Sequence, residues 1–594
     1  MIHFRQGIKN IPEICARHGV RKVIIAPGSR NAPLIFAFTA QPELQCLSIT
    51  DERSAAYFAL GMAQQSGEAV ALVCTSGTAV LNFAPAIAEA YYQNLPLLVF
   101  TADRPAEMID QADGQTLRQS DIYGNYIKAH FDLPVETVVV ADLQFSDRQV
   151  SQAIDTALSY PQGPVQINVP LREPIYTALP DTHSNPKIIK TIAAEVFPTK
   201  ESLETLKKMW TSYERKLVLF GVYPKDEQLN KLANRLANEP DVVVVAENLS
   251  NISGDKIITR PESFFSCINW EGGIPIPPNQ NGIPIPSNQN EIRIPFTPDL
   301  LITIGHSSIC KQLKLFLREH QPAEQWQFES SLPYIDTYKS LTTIVPGSVV
   351  DTLGKMPLGK TKSNYSETFQ VQNRIITQRH DVFVADAPLS DMSAVTNLLK
   401  LAPGGTTLHL ANSTSVRWTQ LFPTRSDLSY FCNRGTSGID GSLSTAAGYA
   451  YASKQPTVFL TGDLSFIYDS NGLWNNYIGD NFKIIVMNNN GGNIFRFIGD
   501  KQLMEQSRNF FTTPHQVKIK SLVEAYGLNY RCCDSTESLE ESLKNLFNVD
   551  KATVLEIFTD ADLNTENYKG YFRNIRTTPN PLKGNLITFA SENE

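Results

Sequence analysis

Val458-Phe-Leu-Thr-Gly-Asp-Leu-Ser465 and Lys483-Ile-Ile-Val-Met-Asn-Asn-Asn-Gly-Gly492 each run a short apolar stretch straight into a polar turn. Apolar, β-branched runs bounded by Gly, Asp and Asn read as strands buried on both faces, the kind that make parallel sheets. The turns put Asp463 at one strand end and Asn488 to Asn490 at the next. One carboxylate, one amide oxygen and one backbone carbonyl suit Mg²⁺, a hard cation that demands oxygen ligands and usually shares its octahedral shell with phosphates. Singly, each turn is explained by the backbone preferences of Gly, Asp and Asn. Together they predict a metal and diphosphate site from Asp463, Asn489 and the Gly491 carbonyl.

The same strand-then-turn pattern recurs outward from this pair. Lys22 to Ala26, Ala69 to Cys74, Pro96 to Thr101 and Val165 to Val169 precede it in one block; Lys216 to Phe220, Val242 to Ala246 and Leu300 to Ile304 form a second. Thr407 to Ala411 and Val554 to Phe558 join the quoted pair in a third. Strands alternating with longer helical patterns are the mark of βαβ units. Because single cores stop growing at roughly 250 to 300 residues, a chain of 594 needs several domains. The expected fold class is α/β, with three doubly wound domains of mainly parallel sheet at 1–180, 187–360 and 366–594. A near-perfect tandem repeat, Gly273-Ile-Pro-Ile-Pro-Pro-Asn-Gln-Asn281 then Gly282-Ile-Pro-Ile-Pro-Ser-Asn-Gln-Asn290, marks a Pro-rich insertion at 271–295, since its prolines can continue neither a helix nor a central strand.

Composition excludes several classes. With 42% hydrophobic and 19% charged residues the chain reads as ordinary globular protein, and a net charge of −8 argues against a nucleic-acid partner. The eight cysteines form no C-x-x-C pair, which suits a reducing compartment. Met1 to Gly19 reads as a charged amphipathic helix without the apolar core of a signal peptide, and no run approaches 18 apolar residues, so a cytoplasmic protein without membrane insertion is expected.

Asp463 followed 26 residues later by Asn489 resembles the thiamine-diphosphate motif, Gly-Asp-Gly and then Asn-Asn, except that Leu464 stands for the second glycine. Gly-Asp-Leu-Ser with Asn-Asn-Asn-Gly-Gly-Asn-Ile-Phe resembles one subfamily, the 2-succinyl-5-enolpyruvyl-6-hydroxy-3-cyclohexene-1-carboxylate synthases of menaquinone biosynthesis. Its other segments follow in order: Ala26-Pro-Gly-Ser-Arg-Asn-Ala-Pro-Leu34, Asp51-Glu-Arg-Ser-Ala55, Cys74-Thr-Ser-Gly-Thr-Ala79, Thr101-Ala-Asp-Arg-Pro105, Gly163-Pro-Val-Gln-Ile-Asn-Val-Pro170 and Asn433-Arg-Gly-Thr-Ser-Gly-Ile-Asp-Gly441.

The resemblance implies a transferase that uses thiamine diphosphate and Mg²⁺, with Mn²⁺ able to substitute. It decarboxylates 2-oxoglutarate and adds the succinyl carbanion equivalent to isochorismate. Glu52 is implied as the carboxylate that activates the aminopyrimidine, and its position after Leu47 to Thr50 predicts a side chain leaving a strand end for a dry pocket. From position alone, a first-turn Glu stabilising a helix N-terminus is the favoured reading, and the resemblance reverses that weighting. Both substrates are dianions, so the resemblance assigns carboxylate contacts to Arg30, Arg104, Lys311, Arg417 and Arg434. Gln312 beside Lys311 departs from the family, which usually has a second basic residue there. Ser29, Ser413 and Gln115 are further substrate candidates, with Gln119 beside them; each also reads as a loop or capping residue. Ser413, Ile439, Gly462, Leu464 and Ile494 are expected around the cofactor, and Phe495 at the substrate. In this superfamily the site lies between two chains, which implies at least a homodimer and suggests a homotetramer. Two rivals are another thiamine-diphosphate 2-oxo acid decarboxylase or carboligase, such as acetohydroxyacid synthase, and a non-catalytic relative. The nine scattered histidines lack the adjacent His-His pair of pyruvate decarboxylases, and a scaffold needs none of Glu52, Asp463 and Asn489.

Overall fold

Strands that are apolar on both faces must be covered on both faces, and helices returning between parallel strands do that. In the computed structural model, residues 3–181, 183–192, 194–268, 294–328, 334–359, 362–497 and 506–576 are described. The Pro-rich insertion expected at 271–295 lies outside them apart from its end, where Ile294–Phe296 forms one 3-10 turn.

Three sheets form, and every described strand pairing is parallel. The first comprises β1 (Lys22–Ile25), β2 (Gln45–Ser48), β3 (Val70–Cys74), β4 (Leu97–Asp103), β5 (His130–Asp132) and β6 (Val165–Pro170), in the order β2-β1-β3-β4-β6-β5. The second comprises β7 (Lys216–Phe220), β8 (Val242–Ala246), β9 (Leu300–Ile304), β10 (Glu324–Phe328) and β11 (Thr343–Val345), in the order β11-β10-β9-β7-β8. The third comprises β12 (Thr407–Leu410), β13 (Ser429–Phe431), β14 (Thr457–Gly462), β15 (Phe482–Asn488), β16 (Asn529–Cys533) and β17 (Thr553–Phe558), in the order β13-β12-β14-β15-β17-β16. The first and third sheets thus share one topology, strand for strand, and each reverses direction between its first and third strands.

The strands anticipated from apolar runs form within a residue or two of their expected bounds. β2 forms two residues earlier than the expected Leu47 to Thr50, and the strands not anticipated, β5, β10, β11, β13 and β16, are edge strands or carry polar residues such as Gln325 and Gln327, so they lack the run that announces a doubly covered strand.

The first and third domains meet through two helices, Glu52–Ser66 and Ser442–Ser453. One apolar cluster runs from Leu72 and Val99 through Phe58, Leu60 and Met62 to Ala446, Ala447, Phe459 and Ile484. The crossing is close because each helix offers a glycine to the other's backbone: a Cβ on Gly61 would lie 2.0 Å from the Thr445 carbonyl oxygen, and one on Gly448 would lie 2.0 Å from that of Phe58. Another cluster, including Phe264, Phe369 and Leu408, ties the second domain to the third.

Alanine at position 448 gains about 1 kcal/mol of helix propensity, but overpacking a close contact costs about 1–3 kcal/mol, and a backbone carbonyl cannot rotate away. Gly448→Ala is therefore expected to lower the urea midpoint. A midpoint equal to or above that of the parent chain would show that the crossing has slack.

Candidate active site

Asp463 and the asparagine turn leave the sheet side by side because β14 and β15 are neighbours in register, Gly462 opposite Met487. Asp463 is buried at 1% exposure. Its Oδ1 accepts from the Leu464 amide at 2.7 Å and its Oδ2 from the Gly491 amide at 2.8 Å, with His515 Nε2 at 3.2 Å. Burial pushes this carboxyl up, and the two amides and His515 draw it back. Asn489 donates through Nδ2 to Asp391 Oδ2 at 3.1 Å, while its own Oδ1 is buried with no partner among the described residues. An orphaned buried acceptor costs about 1–3 kcal/mol, a cost a cation ligand would remove. Asn490 follows in the left-handed region at φ 59°. Asn489 and His515 also line a cavity of about 350 Å³ that Lys518 and Lys520 flank. The donor set fits Mg²⁺.

Asp391 and His515 escaped the sequence reading. Asp391, the first residue of helix Asp391–Leu401, looks in the sequence like any acid favouring a helix N-terminus. It is fully buried, and burial raises its pKa to about 6 against hydrogen bonds from Thr559, Asn564 and Asn489. A lone histidine 52 residues beyond Asp463 carries no local signal at all.

A first basic cluster gathers at the carboxyl ends of β1, β3 and β4. Arg30 is buried; Nη1 donates to the Leu171 carbonyl at 3.1 Å and Nη2 pairs with Glu173 at 3.0 Å. Arg104 Nη1 donates to Ser76 Oγ at 3.0 Å and to the Gln115 carbonyl at 2.8 Å. Burial first, and then the neighbouring Arg30, lower the Arg104 pKa. Gln115 is exposed with φ 57°, and Ser29 is exposed beside Arg30. Gln119 is different: buried, it accepts from the Gly77 amide at 2.9 Å and donates to the Ala102 carbonyl at 3.0 Å, so its amide is spent on holding the loops together.

Glu52 opens helix Glu52–Ser66, the first-turn place that its position in the sequence favours, and Asp51 caps that helix by accepting from the Ser54 amide at 3.0 Å. In the single chain Glu52 is half-buried, close enough to Cys74 to add to the upward push that burial gives that thiol.

A second basic cluster occupies the equivalent place in the third sheet. Ser413, just beyond β12, is held at φ 71°, ψ −125°, a conformation a side chain rarely adopts and one typical of functional turns. Arg417 Nη1 donates to the Ser413 carbonyl at 2.6 Å, and Arg434 Nη1 donates to Asn412 Oδ1 at 2.8 Å. Burial and then Arg434 lower the Arg417 pKa. Asn412 also donates to the carbonyls of Asn433 and Gly438, both at 2.7 Å, which fixes the loop bearing Arg434 and Ile439. The Ile439 carbonyl accepts from Ser465 Oγ at 3.2 Å. From the first domain, Glu89 clamps the same loop, accepting from the amides of Gly435 at 2.7 Å and Thr436 at 2.6 Å. Arg30 and Arg434 each keep a buried Nε without a partner among the described residues. Lys311, exposed, opens helix Lys311–Glu319, and the amides of Lys311 and Gln312 meet the half-buried Glu262. Ile494 and Phe495 are half-buried in the short helix Ile494–Phe497, with Phe495 against Phe511 at 5.6 Å.

Among the described residues, no hydrogen bond or ion pair joins Glu52, Arg30, Arg104 or Gln115 to Asp463, Asn489, Arg417 or Arg434. The two basic clusters thus stand apart from each other in the chain.

Residues 5–122 match the thiamine pyrophosphate enzyme N-terminal TPP binding domain, and residues 412–557 match the C-terminal TPP binding domain of such enzymes. The chain is 39% identical over 570 residues, 96% of its length and 98% of the relative's, to the 2-succinyl-5-enolpyruvyl-6-hydroxy-3-cyclohexene-1-carboxylate synthase of Flavobacterium psychrophilum. Proteins of the same name from Christiangramia forsetii and Porphyromonas gingivalis are 37% and 36% identical, covering 95% and 97% of this chain and 98% of each relative.

Glu89→Ala removes the acceptor of two loop amides, those of half-buried Gly435 and exposed Thr436, a loss of about 1–3 kcal/mol. The expected readout is a lower unfolding free energy together with faster amide exchange at Gly435 and Thr436. Unchanged exchange at those two amides would mean that something other than Glu89 holds the Arg434 loop.

Proposed function

We propose, because the chain belongs to the 2-succinyl-5-enolpyruvyl-6-hydroxy-3-cyclohexene-1-carboxylate synthase family of thiamine pyrophosphate enzymes, that it decarboxylates 2-oxoglutarate and adds the succinyl unit to isochorismate, a step of menaquinone biosynthesis. Near-full-length similarity to synthases of that name supports this activity over acetohydroxyacid synthase chemistry or a non-catalytic role. The observation that carries the catalytic reading is the orphaned Asn489 Oδ1 beside Asp463, on the strand ends where a metal and diphosphate belong.

Asp463, Asn489 and the Gly491 carbonyl would hold Mg²⁺ or Mn²⁺, with Gly462, Leu464, Ser413, Ile439 and Ile494 around the cofactor. When bound, thiamine diphosphate supplies a nucleophilic carbon and an electron sink for decarboxylating a 2-oxo acid. Glu52 holds a proton at the aminopyrimidine, and completion of the site by a second copy would supply the water exclusion that one chain does not give it. Arg30 and Arg104 on one side and Arg417 and Arg434 on the other orient dicarboxylates, because a planar guanidinium matches a carboxylate and stays charged even when desolvated. Ser29, Gln115, Lys311 and Phe495 complete the substrate walls. With Gln312 in place of a second cation, the third-sheet arginines bear more of the carboxylate load.

Two half-sites without a bond between them support a homo-oligomer in which the first domain of one copy faces the third domain of another, a dimer at least and a tetramer by family resemblance. Domain limits at 1–180, 187–360 and 366–594 place each sheet in one unit. No described helix is long and apolar enough to cross a membrane, and we place the protein in the cytoplasm.

Purified protein with Mg²⁺, thiamine diphosphate and 2-oxoglutarate is expected to form the succinyl adduct when isochorismate is added; preference for pyruvate, or no adduct, overturns the substrate assignment. Glu52→Gln is expected to cut turnover by about 10²- to 10⁴-fold while thiamine diphosphate titration stays close to that of the parent. Full activity in that variant removes Glu52 from the reaction.

A further inference from the structure

An amide side chain has two ends of similar size and opposite function, and Asn489 serves as a cation ligand only with its oxygen end forward. What decides this lies behind it. Asp391 is fully buried, and its two carboxylate oxygens are divided between two tasks. Oδ1 accepts from Thr559 Oγ1 at 2.7 Å and from Asn564 Nδ2 at 3.0 Å; Oδ2 accepts from Asn489 Nδ2 at 3.1 Å. The Asp391 amide in turn donates to Asn564 Oδ1 at 2.8 Å, so Asn564 grips the residue from both sides. The Thr559 amide donates to the Asn488 carbonyl at 3.0 Å, which fixes the strand end next to Asn489.

A carboxylate only accepts hydrogen bonds, so the atom that Asn489 turns toward Asp391 must be its nitrogen, and the oxygen must face the other way. That oxygen is the buried one without a partner. We infer that Asp391 is a positioning residue that sets the amide of Asn489, presenting Oδ1 rather than Nδ2 to the metal ion. The inference rests on the reading of Asp463 and Asn489 as cation ligands. Asp391 precedes the matched segment 412–557, and Thr559 and Asn564 follow it, so the device is assembled from chain outside the recognised cofactor-binding domain.

An exchange of groups tests it. In Asp391→Asn, the new Oδ1 can still accept from Thr559 and Asn564, but the new Nδ2 confronts Asn489 Nδ2, donor against donor. Asn489 must then turn and offer its nitrogen to the cation. Loss of an outer partner of this kind typically weakens metal binding about 10- to 100-fold. The double variant Asp391→Asn/Asn489→Asp restores donor to acceptor with the charge merely moved by one residue. Binding of Mn²⁺ in the presence of thiamine diphosphate, followed by electron paramagnetic resonance, is expected to fall in the single variant and to recover in the double variant, while thermal unfolding without metal stays near the parent's in both. Parent-like Mn²⁺ affinity in Asp391→Asn overturns the inference. So does a loss that the double variant fails to recover, because a purely structural Asp391 predicts that result. If the parent protein itself binds no Mn²⁺, the ligand assignment of Asp463 and Asn489 has failed instead, and the inference falls with it.

Discussion

Helices Glu52–Ser66 and Ser442–Ser453 cross with Gly61 and Gly448 each facing the other's backbone, and much of the molecule is organised by that contact. It locks the first and third domains into one apolar cluster. It also brings the start of the first helix onto the third domain: Asp51 accepts from Asn471 Nδ2 at 2.7 Å, and Tyr57 donates to Asp440 at 3.0 Å. Asp469, fully buried and pushed up to about 7 by that burial, accepts from the Ser444 amide at 2.7 Å and caps the second helix beneath this junction. Glu52 therefore stands on a rigid base.

With the two domains fixed, their common topology acquires a chemical meaning. Each sheet reverses between its first and third strands, the place where doubly wound sheets open a crevice for ligands. In the first sheet Ser29 and Arg30 follow the first strand; in the third, Ser413 and Arg417 do. Two sheets of one design thus present two corners rich in guanidinium groups. Each corner is braced by loops: Arg104 by Ser76 and Gln115, Arg434 by Asn412, with Glu89 holding the Arg434 loop from the opposite domain. On the proposed function, a protein with a net charge of −8 would meet dianions through such a local concentration of guanidinium groups.

Much of this was legible before any coordinates. Most strands at the centres of the sheets declare themselves by apolar runs, because a strand covered on both faces is mainly apolar; β10, an inner strand with buried Gln325 and Gln327, does not. The Gly462-Asp463 and Asn488 to Asn490 turns were legible for the same reason: they interrupt such runs abruptly. Edge strands such as Asn529–Cys533 were not, since one free edge relaxes the requirement. Glu52 is legible from its position as a first-turn helix residue, whereas a part for it in the chemistry comes only from the resemblance.

The sequence by itself determined the fold class, the family and the residue types at each strand end, because those follow from periodicity and from short contiguous motifs. Only the tertiary structure decided which of those residues stand together and what orients them. Asp391 reaches Asn489 across 98 residues of chain, and His515 reaches Asp463 across 52. Hydrogen bonds between such distant positions leave no periodic trace, so their partners become visible only when the chain is folded.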